Sequence, residues 1–315
     1  MQKQHEIDDG SYHIPVMVDQ VMQFLIGDLN GIYIDATLGG AGHTSVLLDH
    51  LNENAQVIGF DRDPDAHKAA ADRIGGDKRF IPIFAPFSSI RTIASQHGIS
   101  GCNGIFADFG VSSYQLDAAA RGFSFMREGP LDLRMNQKDG PSAAELIEAI
   151  DEKDLADLIF RYGEERRSRG IAKAIVRERG KNAITKTTDL VSILDRCLPP
   201  KNRIKSIARV FQALRIAVND ELTELESFLD EAFHLLNPNG HLVMLTYHSL
   251  EDRLAKRFIV QKTRDCICPP ELPICVCEHR AEGVSLTKKA VSATAEEIEK
   301  NPRARSAKLR AIKKI

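Results

Sequence analysis

The chain has no tryptophan and only five tyrosines among its 315 residues, with aromatics at 6%. A base or adenine that stacks on this protein must therefore find phenylalanine or tyrosine. No apolar run approaches the roughly 18 residues that would span a bilayer. The opening "MQKQHEIDDGSYH" carries no signal-peptide apolar segment. A membrane is thus excluded as a partner, and a cytoplasmic protein is expected. The net charge of −2 excludes a global field that draws in nucleic acid, so any such site must be a local basic face, and DNA is not expected. Neither an internal repeat nor a low-complexity stretch is present, which removes solenoids and disordered tails. Cysteine is scarce, and four of the six crowd into residues 266–277 instead of spacing out as a disulfide framework.

What remains is an ordinary globular composition, 43% apolar and 27% charged, long enough for one large domain and a smaller one. Short apolar runs read as buried strands: "GIYID" (31–35), "QVIGFD" (56–61), "RFIPIF" (79–84), "GIFADFG" (104–110) and "HLVMLTYHS" (241–249). Segments of helical length separate the first four, which predicts right-handed crossovers and a doubly wound parallel α/β sheet. Ligands on such sheets bind beyond the C-terminal strand ends. Those ends carry Asp35, Asp61, Phe84–Phe87, Asp108 and His248.

The alternation stops after residue 110. Ser142 and Glu145 stand in capping-box register, and Leu155, Leu158, Ile159 and Tyr162 share one helical face. A further helix is expected at 188–197, with "LPPKNR" ending it. The domain reading is a discontinuous α/β domain, 1–117 and 208–315, with a helical insert at 118–207. The sheet domain resumes through the long helical stretch "FQALRIAVNDELTELESFLDEAFHLL" and the turn "NPNG". An antiparallel pair from "VSLTKKAV" and "AKLRAIKKI" is expected at the sheet edge.

In "DATLGGAGHT" a strand runs into a glycine-rich turn and then a helix. Gly40, Ala41 and Gly42 begin a dinucleotide-type fingerprint, but Ser45 stands where its third glycine belongs. Asp35 at the mouth of the loop would repel a pyrophosphate and suits a ligand with positive charge. S-adenosylmethionine carries an ammonium and a sulfonium and no phosphate, which favours it over NAD. Asp61 closes the second strand where an acid commonly receives ribose hydroxyls. Asp63 reads as the cap of a helix opening at Pro64. Phe87 is either an adenine-stacking face or a core aromatic. Asp108 opens a long polar, glycine-rich loop at the fourth strand end and stands where a group reaching both cofactor and substrate would. His248, Ser249, Glu251 and Asp252 occupy the next strand end.

Several long motifs then identify a family. "HIPVM" (13–17), "YIDATLGGAGHT" (33–44), "DFGVSSYQLD" (108–117) and "RGFSFMREGPLDLRM" (121–135) are joined by "YGEER" (162–166), "FQALRIAVNDEL" (211–222), "HSLEDR" (248–253) and "NPRARSAKLR" (301–310). Across nearly its whole length the chain resembles the MraW family, that of ribosomal RNA small subunit methyltransferase H. The resemblance implies a Rossmann-like class I methyltransferase fold that uses S-adenosyl-L-methionine. It implies methylation of N4 of a cytidine in the decoding region of 16S rRNA, with the small ribosomal subunit as partner. Cofactor contact is implied for Ala41, Gly42, His43, Asp61, Phe87, Asp108 and Gln115. Two places depart from the family pattern. Tyr114 stands where the family has proline, and "IKSIARVFQALR" lacks the His-Pro before its arginine.

Asp108 is the candidate catalytic residue, as acceptor for the amino proton, since the Asn/Asp-Pro-Pro-Tyr motif of many amino methyltransferases is missing. Two acid-free basic runs fit an RNA substrate: Arg196, Lys201, Arg203, Lys205, Arg209 and Arg215, then Arg303, Arg305, Lys308, Arg310, Lys313 and Lys314. The cysteines of "CICPPELPICVC" admit a tetrahedral zinc site or free thiols in a reducing cytosol. The reading adopted from sequence is no metal. An NAD oxidoreductase would share the fold, and a non-enzymatic ribosome-assembly factor would need the basic runs but not the glycine loop.

Overall fold

The computed structural model describes residues 15–110, 119–269, 272 and 274–315. Two compact units divide the chain. The first takes in the described residues up to Gly110 together with Glu224–Ile315, and the second the described residues between them, up to Thr223.

The first unit is built on strands β1 (Ile32–Asp35), β2 (Gln56–Asp61), β3 (Phe80–Phe84), β4 (Cys102–Asp108), β5 (Leu236–Thr246), β6 (Gly283–Ser285), β7 (Val291–Ser292) and β8 (Lys308–Lys314). They form one sheet in the order β3-β2-β1-β4-β5-β8-β6, with β7 also on β8. The first five pair in parallel, and β8 runs antiparallel to β5 and to β6 and β7. The chain order reverses between β1 and β4, the switch point where doubly wound sheets take ligands.

Alternation along the strands serves two cores. Ile34, Ile58 and Ile105 face one cluster with Phe228, Leu229 and Phe233. Their neighbours Tyr33, Val57 and Phe106 face the other, with Val21, Leu25, Leu47 and Leu48. Both sheet faces are thereby covered, which is why these strands read as continuous apolar runs. The covering helices include α1 (Val18–Leu25), α2 (Gly42–His50), α3 (Pro64–Ile74) and α4 (Ile90–Gln96). Asp63 caps α3 as its spacing predicts, accepting from the Asp65 N–H at 3.1 Å.

The second unit is helical: α5 (Ala143–Ala149), α6 (Glu152–Gly163), α7 (Ser168–Arg179), α8 (Thr187–Cys197) and α9 (Arg203–Asn219). It has its own core, with Leu155, Ile159, Ile175, Leu190, Leu194 and Phe211 among its members. The Ser142–Glu145 capping box forms in both directions. This unit reaches Thr223, whereas the sequence places the end of its insert at residue 207. The reason is α9, whose Ile207, Val210, Phe211 and Leu214 complete the helical core. At Gly122 the backbone adopts φ +73°, and a Cβ there would overlap the Pro130 carbonyl. Only glycine fits that turn.

Two local readings need correction. The long helical stretch is broken, because Asp220 turns left-handed (φ 49°) between α9 and α10 (Glu221–Leu235). The "NPNG" segment lies within β5 as a register irregularity: Leu236 pairs with Cys102, but His241 already pairs with Gly104. Helix α11 (Ser249–Lys262) follows β5, and α12 (Ala295–Lys300) precedes β8. No helix among the described residues is long and apolar enough to cross a membrane.

Candidate active site

The glycine turn leaves β1 through Ala36, whose N–H bonds the Phe106 carbonyl on β4 at 2.8 Å, while the Leu38 N–H bonds the Phe60 carbonyl on β2 at 2.9 Å. The loop is thus stitched to both neighbouring strands. Gly39 (φ 48°) and Ala41 (φ 55°) then turn left-handed into α2. The first i→i−4 bond of that helix runs from Ser45 to Ala41 at 2.9 Å. Residues 42–44 therefore present a helix N-terminus with no acceptor inside the helix. Gly42 packs tightly, since a Cβ there would lie 3.1 Å from Pro15.

Three carboxylates mark the ends of β1, β2 and β4. Asp35 is buried, taking the Thr44 hydroxyl at 2.6 Å and the Thr37 N–H at 3.1 Å. Burial raises its pKa to about 6 against those hydrogen bonds, and the charge of Asp61 adds to the rise. Asp61 takes the Gly39 N–H at 2.9 Å and the Asp63 N–H at 2.8 Å, one on each oxygen. Burial raises its pKa too. Each oxygen retains a lone pair for a further donor. Asp108 is anchored by its own N–H, which bonds the Thr37 hydroxyl at 2.6 Å. Its carboxyl rises to about 7, first through burial and then through the charges of Asp35 and Glu251, while a hydrogen bond from Tyr247 opposes the rise. Asp108 Oδ1 is buried without a partner among the described residues.

An unpaired buried carboxylate oxygen is costly, and a cluster of raised acids at a switch point is a site awaiting a cation or a donor. The donor set suits S-adenosylmethionine: positive charge near Asp35 and Asp108, and ribose hydroxyls near Asp61.

The other expected residues fare differently. The His43 ring is buried, with Nε2 2.8 Å from the Val16 carbonyl and its centroid 4.6 Å from that of Phe106. Packing uses that ring, so what His43 offers a ligand is its place in the first turn of α2. Phe87 is half-buried, edge-on to Phe109 at 6.0 Å and to Phe228 at 5.4 Å. The ring packs on the aromatic core, and part of it stays accessible. Gln115 and Tyr114 lie outside the described residues. His248 caps α11, accepting from the Glu251 N–H. Asp252 is held by Lys308 at 3.2 Å and Arg310 at 2.8 Å.

Sequence reasoning missed Thr37, Thr44 and Tyr247, which hold Asp35 and Asp108 in place. The hydroxyls inside "DATLGGAGHT" and "LTYHS" were the available signal. Behind Tyr247 stands Glu251, whose Oε2 accepts the Tyr247 N–H at 2.8 Å and the His248 N–H at 3.2 Å.

Sheet order, antiparallel β8 and the acid-lined glycine turn define a methyltransferase domain of the doubly wound, class I type. The chain itself belongs to the MraW methylase family, whose sequence model matches residues 10–315. It is 43% identical over 307 residues to ribosomal RNA small subunit methyltransferase H of Carboxydothermus hydrogenoformans, covering 96% of this chain and 98% of that one. The protein of the same name from Geobacter sulfurreducens is 44% identical over 307 residues, covering 96% and 99%. That from Thermomicrobium roseum is 43% identical over 307 residues, covering 96% and 94%.

Proposed function

We infer that this protein transfers the methyl group of S-adenosylmethionine to N4 of a cytidine in the decoding region of 16S rRNA. Asp108 carries the reading, as a buried and unpartnered carboxylate oxygen at the β4 end of an acid-rich site. Full-length relatives named as small-subunit rRNA methyltransferases support the choice of substrate. The small ribosomal subunit is the partner that follows, and the cytoplasm the place.

Ala41, Gly42 and His43 would hold S-adenosylmethionine at the turn, Asp61 would take its ribose hydroxyls, Phe87 would pack on its adenine, and Asp108 and Gln115 would complete the set of residues that bind it. Bound S-adenosylmethionine supplies an electrophilic methyl group on a sulfonium. The negative charge of Asp35 and Asp108 attracts a cation strongly where water is scarce. The cytosine amino lone pair is delocalised into the ring and so is a weak nucleophile. Asp108 accepts a hydrogen bond from that amino group, localises the lone pair and receives the proton late in the transfer. A carboxyl with a pKa of about 7 suits that task. The target base leaves its stack to reach a strand-end site. The helical unit grips surrounding RNA through backbone and shape.

Asp108→Ala should abolish turnover on small-subunit rRNA. Asp108→Asn keeps a carbonyl acceptor and should retain a fraction of it. Digestion of the product and mass spectrometry against N4-, C5- and ribose-methylated standards should find N4-methylcytidine, with negligible product from free cytidine or CMP. Methyl on C5 or the 2′-oxygen overturns the amino-group assignment, and full activity of Asp108→Ala overturns the role of Asp108.

A further inference from the structure

Cys266, Cys268, Cys275 and Cys277 lie on the connection between α11 and β6, outside the strand-end site. All four are free thiols. Their sulfurs all lie within 4.8 Å of one another. Cys275 and Cys277 are 3.6 Å apart, and Cys277 and Cys266 are 3.9 Å apart. Four sulfurs held tetrahedrally at about 2.3 Å from one zinc ion are separated by about 3.8 Å. These two edges straddle that value, whereas a disulfide needs about 2.05 Å. A polynuclear iron–sulfur cluster spreads its thiolates over several irons, so this spacing fits a single ion.

Among the described residues no apolar cluster takes in the thiols. The apolar side chains of the segment point outward, with Ile267 46%, Ile274 75% and Val276 72% exposed. No strand or helix runs through it among the described residues. Hydrophobic burial of these side chains therefore does not account for the convergence of the four sulfurs. The Val276 N–H also points at Cys268 Sγ at 3.4 Å. Such backbone donors to sulfur offset the charge of a thiolate-rich metal site.

We propose that Cys266, Cys268, Cys275 and Cys277 form a tetrathiolate site for one zinc ion, which folds the connection between α11 and β6. Each thiol gives up its proton to solvent as its sulfur binds, so four thiols and one Zn²⁺ make a site of net charge −2. The sequence left zinc and free thiols both open. The convergence of all four sulfurs is what favours zinc.

The full chain, purified under reducing conditions without chelator, should carry one zinc per chain by elemental mass spectrometry. A mercurial reagent should release that zinc in step with thiol modification. Cobalt(II) added to the stripped protein should give sulfur-to-cobalt charge-transfer absorption and intense tetrahedral d–d bands. Cys266→Ser with Cys275→Ser should lose the metal and open the 263–282 connection to proteolysis, with S-adenosylmethionine affinity unchanged. Should that variant fail to fold, the zinc stoichiometry and cobalt spectrum of the unaltered chain decide. A reduced chain that takes up neither zinc nor cobalt overturns the proposal, as do disulfides mapped among the four cysteines, or iron as the native metal.

Discussion

Asp35 and Asp108 are acids that this fold withdraws from water with no cation beside them among the described residues. Their folded pKa values of about 6 and about 7 exceed the unfolded value, so each binds its proton more tightly in the native chain. The stability this confers is fully present below about pH 4 and lost as the pH rises through those values. The free protein should therefore lose stability between about pH 4 and about pH 7, and Asp108→Asn should lose less, as read by urea unfolding at each pH. A bound cation reverses the sign. S-adenosylmethionine affinity should rise over the same window, because deprotonation supplies the charge that attracts it. Calorimetry that finds the affinity flat with pH contradicts this account. At Asp61 the expectation concerns hydrogen bonds: Asp61→Ala should weaken the cofactor by about 1–3 kcal/mol, the cost of unpaired buried polar groups. Unchanged affinity in a folded variant removes Asp61 from the site.

The junction of β5 and α11 does at the scale of elements what Asp108 needs at the scale of atoms. Glu251, buried in the first turn of α11, accepts the N–H groups of Tyr247 and His248 and so fixes where the strand ends and the helix begins. Tyr247 in turn bonds Asp108. Glu251→Ala strands two backbone donors and should cost about 1–3 kcal/mol in urea unfolding. Turnover should fall with it, since Glu251 holds Tyr247 in place and its charge also raises the Asp108 carboxyl. Undiminished turnover would break that chain of support. Helix existence was legible from apolar spacing, as in α5 with its capping box and in α8. The break at Asp220 was not, because a left-handed aspartate differs from a helical one only in a backbone angle that its surroundings select.

Across the whole molecule, charge behaves differently from its sequence pattern. The run 196–215 contains no acid, but within the second unit Arg196 meets Glu178 at 3.3 Å, Arg209 meets Glu165 at 3.4 Å and Arg215 meets Glu221 at 2.8 Å. In the first unit Lys308 and Arg310 hold Asp252. Five cations of the two runs thus also pair with acids of the fold, so neither run is a wholly unpaired cationic surface. Lys201 and Lys205 are exposed. RNA binding should weaken with salt, and Lys201→Ala and Lys205→Ala should each flatten the slope of log affinity against log salt by about 0.7. Arg215→Ala should instead lower stability by stranding the Glu221 carboxylate. A slope unmoved by either lysine variant removes them from the RNA interface.

The order of apolar runs and the glycine turn were enough to establish a doubly wound sheet, because burial of both sheet faces leaves its mark on neighbouring residues. Long motifs established the family for the same reason, being local and contiguous. Tertiary structure alone decided which groups meet. Tyr247 and Thr37 reach Asp108 from other strand ends, acids outside the basic runs pair with some of their cations, and four cysteines converge across an intervening loop. Such contacts depend on distances through space, which spacing along the chain does not encode.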